Sequence, residues 1–244
     1  EQDARLVAMT LDLLVDAHVH STFSDGRDQP GANVAAAAER GLHTIGLVDH
    51  VRSDTLWLPD FVSAVRRLRS QSPLDVSCGV EAKMLDTTGW LDVPPSLAGV
   101  DWIVAADHQV PLGREPQPPA TVRRMIADGE IDPIEVLDNL LEATAAAAER
   151  YDNVLIAHIF SVLPKCGFDE TMVADTDVTA LGHRLARAGA RVEISERWRC
   201  PSARVAKLLH AAGVELVAST DSHRAATIGQ YDHVSDIAGA LASI

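Results

Sequence analysis

The segment Leu13-Leu14-Val15-Asp16-Ala17-His18-Val19-His20 is a nearly continuous apolar run that ends in two histidines. A short apolar run of this kind, bounded by turn residues, is typical of a strand buried on both faces of a parallel sheet. Six further runs share this character: Thr44–His50, Val76–Lys83, Trp102–His108, Val154–Ile159, Arg191–Ser195 and Glu215–Thr220. The sequence therefore predicts seven buried strands.

Amphipathic stretches rich in alanine and arginine separate these runs and predict helices. They are Gly31–Arg40, Pro59–Ser70, Pro133–Arg150, Thr176–Ala188, Ser202–Ala212 and Asp232–Leu241. Strands that alternate with helices form a parallel sheet with right-handed crossovers, which can be a closed barrel or an open doubly wound sheet. The segment Leu85–Val100 is expected to add a small hairpin, and the proline-rich segment Pro111–Ala120 to form a loop over one end.

Composition places the chain among ordinary globular proteins. Its 244 residues are 47% hydrophobic and 23% charged, which excludes intrinsic disorder. No linker or internal repeat is evident, so we expect one domain over residues 1–244, a length common for α/β barrels. The net charge of −14 disfavours binding to nucleic acid or to a membrane, because such a surface repels phosphate groups.

The chain carries no sequence signal of export or of membrane insertion. Its three cysteines are isolated, which is typical of a reducing compartment rather than of a disulfide framework. Residues 1–14 lack the basic and apolar regions of a signal peptide, and no apolar stretch approaches the ~20 residues of a membrane span. We therefore expect a soluble, cytoplasmic protein.

Polar side chains gather at the ends of the predicted strands, where active sites of parallel α/β folds lie. Strand alternation places the imidazoles of His18 and His20 on one side, and Asp221 and His223 have the same spacing. Nine side chains should thus meet in one cleft: His18, His20, Asp25, His50, Glu81, His108, His158, Asp221 and His223.

Six imidazoles and three carboxylates together suit zinc, manganese or iron. Nine ligands exceed the needs of one ion, so we expect two or three ions, with Glu81 or Asp221 bridging a pair. A single histidine at a strand end is more often a hydrogen-bonded structural residue, and Ser-Asp-Gly around Asp25 is also ordinary turn chemistry. Asp16 and Asp49, next to the cluster, are candidate acceptors that orient the imidazoles. The remaining histidines, His43, His183, His210 and His233, are interpreted as structural.

These residues resemble the signature of the PHP (polymerase and histidinol phosphatase) domain family. The matching segments are Asp16–Ser21, Ser24–Gly26, Val48–His50, Gly79–Glu81, His108, Ala157–His158 and Ser219–His223. The resemblance extends from residue 16 to residue 223, and each of the nine ligand positions of the family is filled.

The resemblance implies a distorted seven-stranded (β/α)7 TIM-like barrel with a trinuclear metal site at the carboxyl ends of its strands. By analogy, His18, His20, Glu81 and Asp221 hold one ion; Glu81, His108 and His158 a second; Asp25, His50 and His223 the third. The implied activity is hydrolysis of a small phosphomonoester, as in histidinol phosphatases, by a metal-bound hydroxide. Glu81, Asp221 and His223 are the residues expected to carry catalysis.

Three arginines are candidates for binding the phosphorylated substrate. Arg197 and Arg199 follow the sixth strand and Arg52 follows the second, and a guanidinium suits bidentate contact with phosphate. Resembling enzymes often place a basic residue in the loop after strand six. Each arginine could equally be an ordinary surface residue. Trp57 and Trp198 fall in loops on the same face, where they either wall the pocket or only pack the loops.

Three other functions remain open at this point. One is a phosphodiesterase or 5′–3′ exonuclease acting on nucleotides or short oligonucleotides, which the acidic charge disfavours. A second is hydrolysis of C–N bonds, because metal barrels with a His-x-His motif include amidohydrolases. The third is a non-catalytic metal-binding module, which the complete ligand set disfavours.

Overall fold

The computed structural model describes residues 11–113 and 115–243. The expectation that residues 1–14 form no signal peptide lies largely outside this range. None of the helices within it combines the length and the apolar character needed to cross a membrane.

Seven parallel strands form one sheet whose spatial order follows their order in the chain, β1-β2-β3-β4-β7-β8-β9. The strands are β1 (Val15–Val19), β2 (Thr44–His50), β3 (Asp75–Lys83), β4 (Trp102–Ala106), β7 (Val154–Ile156), β8 (Arg191–Ser195) and β9 (Glu215–Ser219). An open doubly wound sheet would reverse its strand order at a switch point. This order does not reverse, so the barrel alternative applies.

The helices that connect the strands cover the outside of the sheet. They are α1 (Pro30–Glu39), α2 (Leu58–Gln71), α3 (Pro119–Ala127), α4 (Pro133–Arg150), α5 (Leu163–Cys166), α6 (Asp175–Ala188), α7 (Ala203–Ala211) and α8 (His233–Leu241). Helix α4 has the bounds that its sequence predicts, because the Asp132 side chain accepts from the Ile134 amide and proline follows at the first helical position. Helices α3 and α5 were not predicted.

The first and last strands meet along a seam that nearly closes the barrel. Val19 forms a parallel bridge with Ser222, and the His20 amide donates to the Ser222 carbonyl at 2.8 Å. The buried Asp16 carboxylate accepts from the amide and the hydroxyl of Thr220, at 2.9 and 2.6 Å. The predicted seven-stranded, TIM-like (β/α)7 barrel is therefore confirmed.

Small side chains fill the barrel interior, and one indole lies across its amino-terminal end. The interior cluster consists of Ala17, Val48, Val104, Ala106, Leu155 and Ala157. Trp102 packs over two glycines, and a Cβ added to Gly46 or to Gly79 would lie 2.8 Å from a ring carbon. Glycine is therefore required at both positions, because any side chain would displace this ring.

The prediction of a loop over Pro111–Ala120 is wrong. The segment contains a hairpin of β5 (Val110–Leu112) and β6 (Glu115–Gln117) and the start of α3. Pro111 lies opposite Pro116, an antiparallel pair in which neither residue has to donate a ladder hydrogen bond. The small hairpin expected in Leu85–Val100 is reduced to one isolated antiparallel bridge, between Leu91 and Met84, which precedes the segment.

Candidate metal centre

Glu81 of strand β3 lies at the centre of the side-chain cluster that forms at the carboxyl ends of the strands. Five imidazole nitrogens surround its carboxylate: His50 Nδ1 at 2.8 Å, His108 Nε2 at 3.0 Å, His158 Nε2 at 3.2 Å, and His18 Nε2 and His20 Nε2, each at 3.4 Å. Only 1% of Glu81 is exposed. A single buried carboxylate therefore connects five histidines from four strands or strand ends, those of β1, β2, β4 and β7.

The other two carboxylates extend the cluster toward solvent. Asp221 Oδ1 lies 3.1 Å from His20 Nε2 and 3.5 Å from His223 Nδ1. Asp25 Oδ1 lies 3.5 Å from His50 Nε2, and its Oδ2 lies 3.2 Å from His223 Nε2. Asp25 is 56% exposed, so it occupies the rim of the site. The structure thus brings all nine predicted ligand residues together.

Several buried polar atoms in this cluster have no hydrogen-bond partner. Among residues 11–113 and 115–243 there are eight such atoms, and five of them belong to the cluster: His18 Nε2, His20 Nδ1, His20 Nε2, Glu81 Oε2 and Asp221 Oδ1. An unpartnered buried polar group costs about 1–3 kcal/mol. Coordination to cations would satisfy four of the five, because a neutral His20 binds metal through only one ring nitrogen, so the residues present fit a metal centre.

Three sets of side chains bring their ligand atoms within 4.8 Å of one another. They are His18, His20 and Asp221; His20, Asp25, His50 and His223; and His50, Glu81 and His108. The first and second sets resemble two of the three groups that the family analogy implies. The third set contains His50, whereas the family analogy implies His158 in that place. His158 contacts Oε1 of Glu81, and His50 contacts Oε2.

Local backbone geometry directs the ligands into the site. His158 and Asp221 have positive φ values of 26° and 50°, a conformation that costs of order 1–3 kcal/mol in a non-glycine residue. At Gly26 an added Cβ would lie 2.6 Å from backbone atoms of His20 and Ser21, so only glycine permits the turn that follows Asp25. Such strained positions cluster at functional sites.

Burial and mutual charge determine the protonation of the central residues. Burial alone would raise the pKa of Glu81, but the imidazoles of His108 and His18 hold this pKa well below its usual range. Burial lowers the pKa of His20 to about 4, against the adjacent Asp221 carboxylate, which raises it. Glu81 is therefore ionised and His20 neutral at pH 7, which are the states that metal coordination requires.

Two carboxylates outside the ligand set orient the imidazoles. The fully buried Glu193 of β8 lies with Oε2 2.9 Å from His18 Nδ1, and its Oε1 accepts from the His158 amide at 2.7 Å. Asp107 Oδ1 lies 2.9 Å from His158 Nδ1. Partners of this kind fix the tautomer and ring orientation of metal-binding histidines. An acidic residue in the middle of a strand buried on both faces is the sequence signal that identifies Glu193.

The expectation that Asp16 and Asp49 orient the imidazoles is wrong. Asp16 accepts from Thr220 and from the Gly229 amide, and so fastens the barrel seam. Asp49 accepts from the hydroxyls of Ser21 and Ser24, at 2.6 and 2.5 Å, and from their amides. Both carboxylates stabilise turns beside the cluster instead of contacting an imidazole.

Trp198, in the loop after β8, forms one wall of the site. Its Nε1 donates to Asp221 Oδ2 at 2.6 Å, and its ring centroid lies 5.5 Å from that of His158. The Lys165 ammonium lies over the same indole, 4.0 Å from the ring centroid. Trp57 instead packs against Phe23 and Phe61. Of the two tryptophans considered from the sequence, only Trp198 contacts a ligand residue.

The three candidate substrate arginines lie in different places around the cluster. Arg197 Nη1 lies 3.1 Å from His223 Nε2 and 3.3 Å from the Asp221 carbonyl oxygen. Arg52 lines a cavity of about 590 Å³ together with Lys83 and the ligands His50, Glu81 and His108. Arg199 lines a separate cavity of about 350 Å³ on the Lys165 side of Trp198. Arg197 is thus the candidate nearest the ligands.

A second cavity of about 590 Å³ adjoins the cluster on the His223 side and brings in two arginines that the sequence analysis missed. Arg27 and Arg224 line it together with Arg197, Asp221 and His223. Arg27 directly follows Asp25-Gly26, and Arg224 directly follows Ser222-His223. A basic residue next to a predicted metal ligand is the sequence signal that identifies them.

Of the four histidines interpreted as structural, His233 and His43 make ordinary contacts. His233 Nε2 lies 3.2 Å from the Pro201 carbonyl, and His43 pairs with Asp12 at 2.8 Å. His43 lies at the amino-terminal end of β2 and His183 lies on α6, both away from the strand ends that form the site. His210 lines a cavity with Trp102 at the opposite end of the barrel.

Several known proteins are similar to this chain. The chain is 28% identical over 246 residues to a "Probable phosphatase" of Vibrio vulnificus, covering 93% of this chain and 84% of that protein. It is 25% identical to a "Probable phosphatase" of Vibrio atlanticus, covering 94% and 86%. A Bifidobacterium adolescentis crystal structure, described as a "putative metal-dependent phosphoesterase", is 17% identical with a TM-score of 0.47 and covers 93% of this chain and 96% of that one.

The model of the PHP domain family matches residues 16–171, more than half of the chain. This match begins at the strand that carries His18 and His20 and includes Glu81, His108 and His158. The chain belongs to the PHP domain family.

Proposed function

We propose that this protein is a metal-dependent phosphatase that hydrolyses a small phosphomonoester. The observation that carries the proposal is the set of five unpartnered buried atoms on His18, His20, Glu81 and Asp221. Membership of the PHP domain family and the phosphatase names of the Vibrio relatives support the same reaction class.

The nine clustered side chains would hold about two to three divalent ions, because each ion takes roughly four to six ligands. Zinc, manganese and iron all suit this mixture of imidazole and carboxylate. When bound, such ions lower the pKa of coordinated water toward ~7, supply a hydroxide nucleophile and neutralise phosphate oxygens. Glu81 is the proposed bridge between two ions, since its two oxygens face different sets of imidazoles.

The protein side chains bind and position the substrate next to these ligands. Arg197 is the proposed phosphate contact, because it lies beside Asp221 and His223 and is 44% exposed, so its guanidinium can reach a ligand from solvent. A guanidinium has donors only, which match phosphate oxygens. Arg52 is a second candidate on the opposite side of the cluster. Arg199 is the weakest candidate, because Trp198 separates its cavity from the ligands.

The buried serine beside the His-x-His motif has a structural role in this proposal. Ser21 Oγ donates to Asp49 Oδ2 at 2.6 Å and is fully buried, so its hydroxyl is committed to a turn. The reaction therefore does not need Ser21 as a nucleophile.

Metal analysis combined with a substrate panel tests the proposal. Protein reconstituted separately with zinc, manganese and iron is analysed for bound metal, then assayed for phosphate release from phosphomonoesters, bis(p-nitrophenyl) phosphate and short oligonucleotides. We expect metal-dependent hydrolysis of monoesters that a chelator abolishes. Only trace metal after reconstitution would contradict the proposal, and preferred cleavage of diesters or oligonucleotides would favour the phosphodiesterase alternative. Full metal content without hydrolysis of any phosphate ester would favour a non-catalytic module.

A further inference from the structure

The cavity on the His223 side brings three arginines together beside the proposed metal ligands. Three arginines from three different loops line it: Arg27 after β1, Arg197 after β8 and Arg224 after β9. Four carboxylates also line this cavity, Asp25, Glu196, Asp221 and Asp232, so the partners of each charged group decide what the arginines can bind. This concentration of charge beside the proposed metal ligands needs an explanation.

Two of these arginines have no partner in the protein. Within the described ranges, 11–113 and 115–243, neither Arg27 nor Arg224 makes a side-chain hydrogen bond or an ion pair, whereas Arg69, Arg184 and Arg204 each pair with a carboxylate. A guanidinium that lines a cavity without a partner can bind an anion without first breaking an existing contact.

The loops that carry these two arginines are fastened to each other. The Arg27 amide donates to the His223 carbonyl at 2.9 Å, and the Ala225 amide donates to Asp28 Oδ2 at 2.8 Å. The two contacts flank the arginines on both loops and hold their backbones in fixed positions. Since the side chains start from adjacent, fixed points, ordering both of them on one ligand costs less entropy.

Most acidic side chains of the cavity have partners other than these two arginines. Glu196 accepts from the amides of Asp232 and Val234 at 3.0 Å and from that of His233 at 3.1 Å, so it is held on the amino terminus of helix α8. Asp25 and Asp221 belong to the proposed ligand set. Asp232 at the exposed rim is the one further carboxylate of this cavity.

We infer that Arg27 and Arg224 form a subsite for a second anionic group of the substrate, so that the substrate is a phosphomonoester that also carries a carboxylate or a second phosphate. The inference rests on the proposed phosphatase function, in which Arg197 and the metal ligands hold the phosphate that is cleaved. A leaving group without an anionic group, such as a plain alcohol or a cationic amino alcohol, would leave both arginines unused.

Matched substrate pairs test this subsite. 3-Phosphoglycerate is compared with glycerol 3-phosphate, O-phosphoserine with O-phosphoethanolamine, and glucose 1,6-bisphosphate with glucose 6-phosphate, using the metal-loaded full chain. The first two pairs add a carboxylate and the third adds a phosphate, so they distinguish the two kinds of anion. We expect kcat/KM to be about tenfold or more higher for the acidic member of at least one pair, as a charge-assisted contact provides.

Substitution of the two arginines assigns any such preference to this cavity. In Arg27→Gln and Arg224→Gln, the kcat/KM of the substrate with the additional anionic group, divided by that of its partner without it, should fall toward one. Arg67→Gln, an exposed arginine on helix α2, is the control that should keep the wild-type ratio. Metal content and circular dichroism establish that the variants fold and load as the wild type does.

Each result decides between the inference and the function on which it rests. Hydrolysis of monoesters with a ratio near one in all three pairs would overturn the subsite and leave the phosphatase function standing. A preference that survives in both arginine variants would also overturn it. If no monoester is hydrolysed, the proposed function fails, and calorimetric binding of the same pairs to wild type and variants then decides whether the subsite exists.

Discussion

Trp198 donates a hydrogen bond from its indole Nε1 to Asp221 Oδ2 at 2.6 Å, and the same carboxylate points Oδ1 toward His20. The two carboxylate oxygens of Asp221 therefore face different partners. Oδ2 is held by the indole, whereas Oδ1 is among the buried atoms without a hydrogen-bond partner. This division makes Trp198 a positioning residue for a proposed metal ligand.

Replacing Trp198 by phenylalanine removes the donor while keeping an aromatic ring beside His158. We expect Trp198→Phe to bind metal about tenfold more weakly, since loss of a partner that orients a ligand typically costs 10–100-fold in affinity. Competition with a chromophoric chelator measures the change. Trp57→Phe is the matched control, because Trp57 packs against Phe23 and Phe61 instead of a ligand-bearing carboxylate. Equal metal affinity in Trp198→Phe and wild type would contradict the assignment.

Glu193 offers a similar test at the opposite side of the cluster. Glu193→Gln keeps the size of the side chain and can still accept from the His158 amide, but its NH₂ group would face His18 Nδ1. His18 then loses the acceptor that fixes its tautomer, so metal affinity should fall about 10–100-fold. Glu149→Gln, which disturbs only a surface pair with Arg184, should bind metal normally. Elemental analysis after dialysis distinguishes the two variants.

The roles of Glu81 and Ser21 are separable by substitution. Glu81→Ala removes the carboxylate that contacts five imidazoles, so both metal content and phosphatase activity should collapse. Ser21→Ala removes one hydrogen bond to buried Asp49 and should lower the free energy of unfolding by about 1–3 kcal/mol while activity persists. Urea unfolding and phosphate release are measured on both variants. An inactive Ser21→Ala beside an active Glu81→Ala would require a nucleophilic serine mechanism instead.

Arg197→Ala should impair substrate binding without releasing metal. A charge-assisted contact with phosphate contributes about 1.5–3 kcal/mol, which corresponds to a roughly 10–100-fold loss of kcat/KM. Arg199→Ala should have a much smaller effect, because Arg199 lines the cavity on the other side of Trp198. Kinetics and metal analysis of the two variants are compared. Wild-type kinetics in Arg197→Ala would move the phosphate contact to Arg52.

The cysteines should be unreactive in the folded protein. Burial raises the pKa of Cys78 to about 12 and that of Cys166 to about 11, and it raises the pKa of Cys200 well above its usual range. All three thiols are therefore protonated at pH 8, and the thiolate is the form that reacts. Ellman's reagent should titrate none of them before unfolding and all three in guanidinium chloride. Rapid labelling of the native protein would contradict their burial.

Most ligand residues are predictable from the sequence because they lie in strands or directly after them. His18 lies in β1 and His20 follows it at the same alternation, and the parallel arrangement places every strand end at one edge. Glu193 alternates in the same way between Val192 and Ile194. Its role as the hydrogen-bond partner of His18 depends on which strand lies opposite His18. That neighbour relationship exists only once the barrel closes.

The loop residues are not predictable in this way. The contact of Trp198 with Asp221 and the approach of Arg27 to Arg224 depend on backbone angles in irregular segments, including the positive φ of Asp221 and of Arg199. No periodic pattern encodes these angles. The proline-rich hairpin of β5 and β6 was missed for a related reason, because its prolines are compatible with pairing only in one register.

Two of the proposed metal ligands lie on opposite sides of the seam between β1 and β9. His20 and Asp221 face each other across it, one from each end of the chain, and the sheet itself joins the two strands there by little more than the bridge of Val19 to Ser222. An ion bound by both residues would hold the two edges of the barrel together. This ion cannot bind both residues until the last strand has docked, so its uptake would report completion of folding, and a chain cut before β9 would lose the site of this ion together with the closure of the barrel.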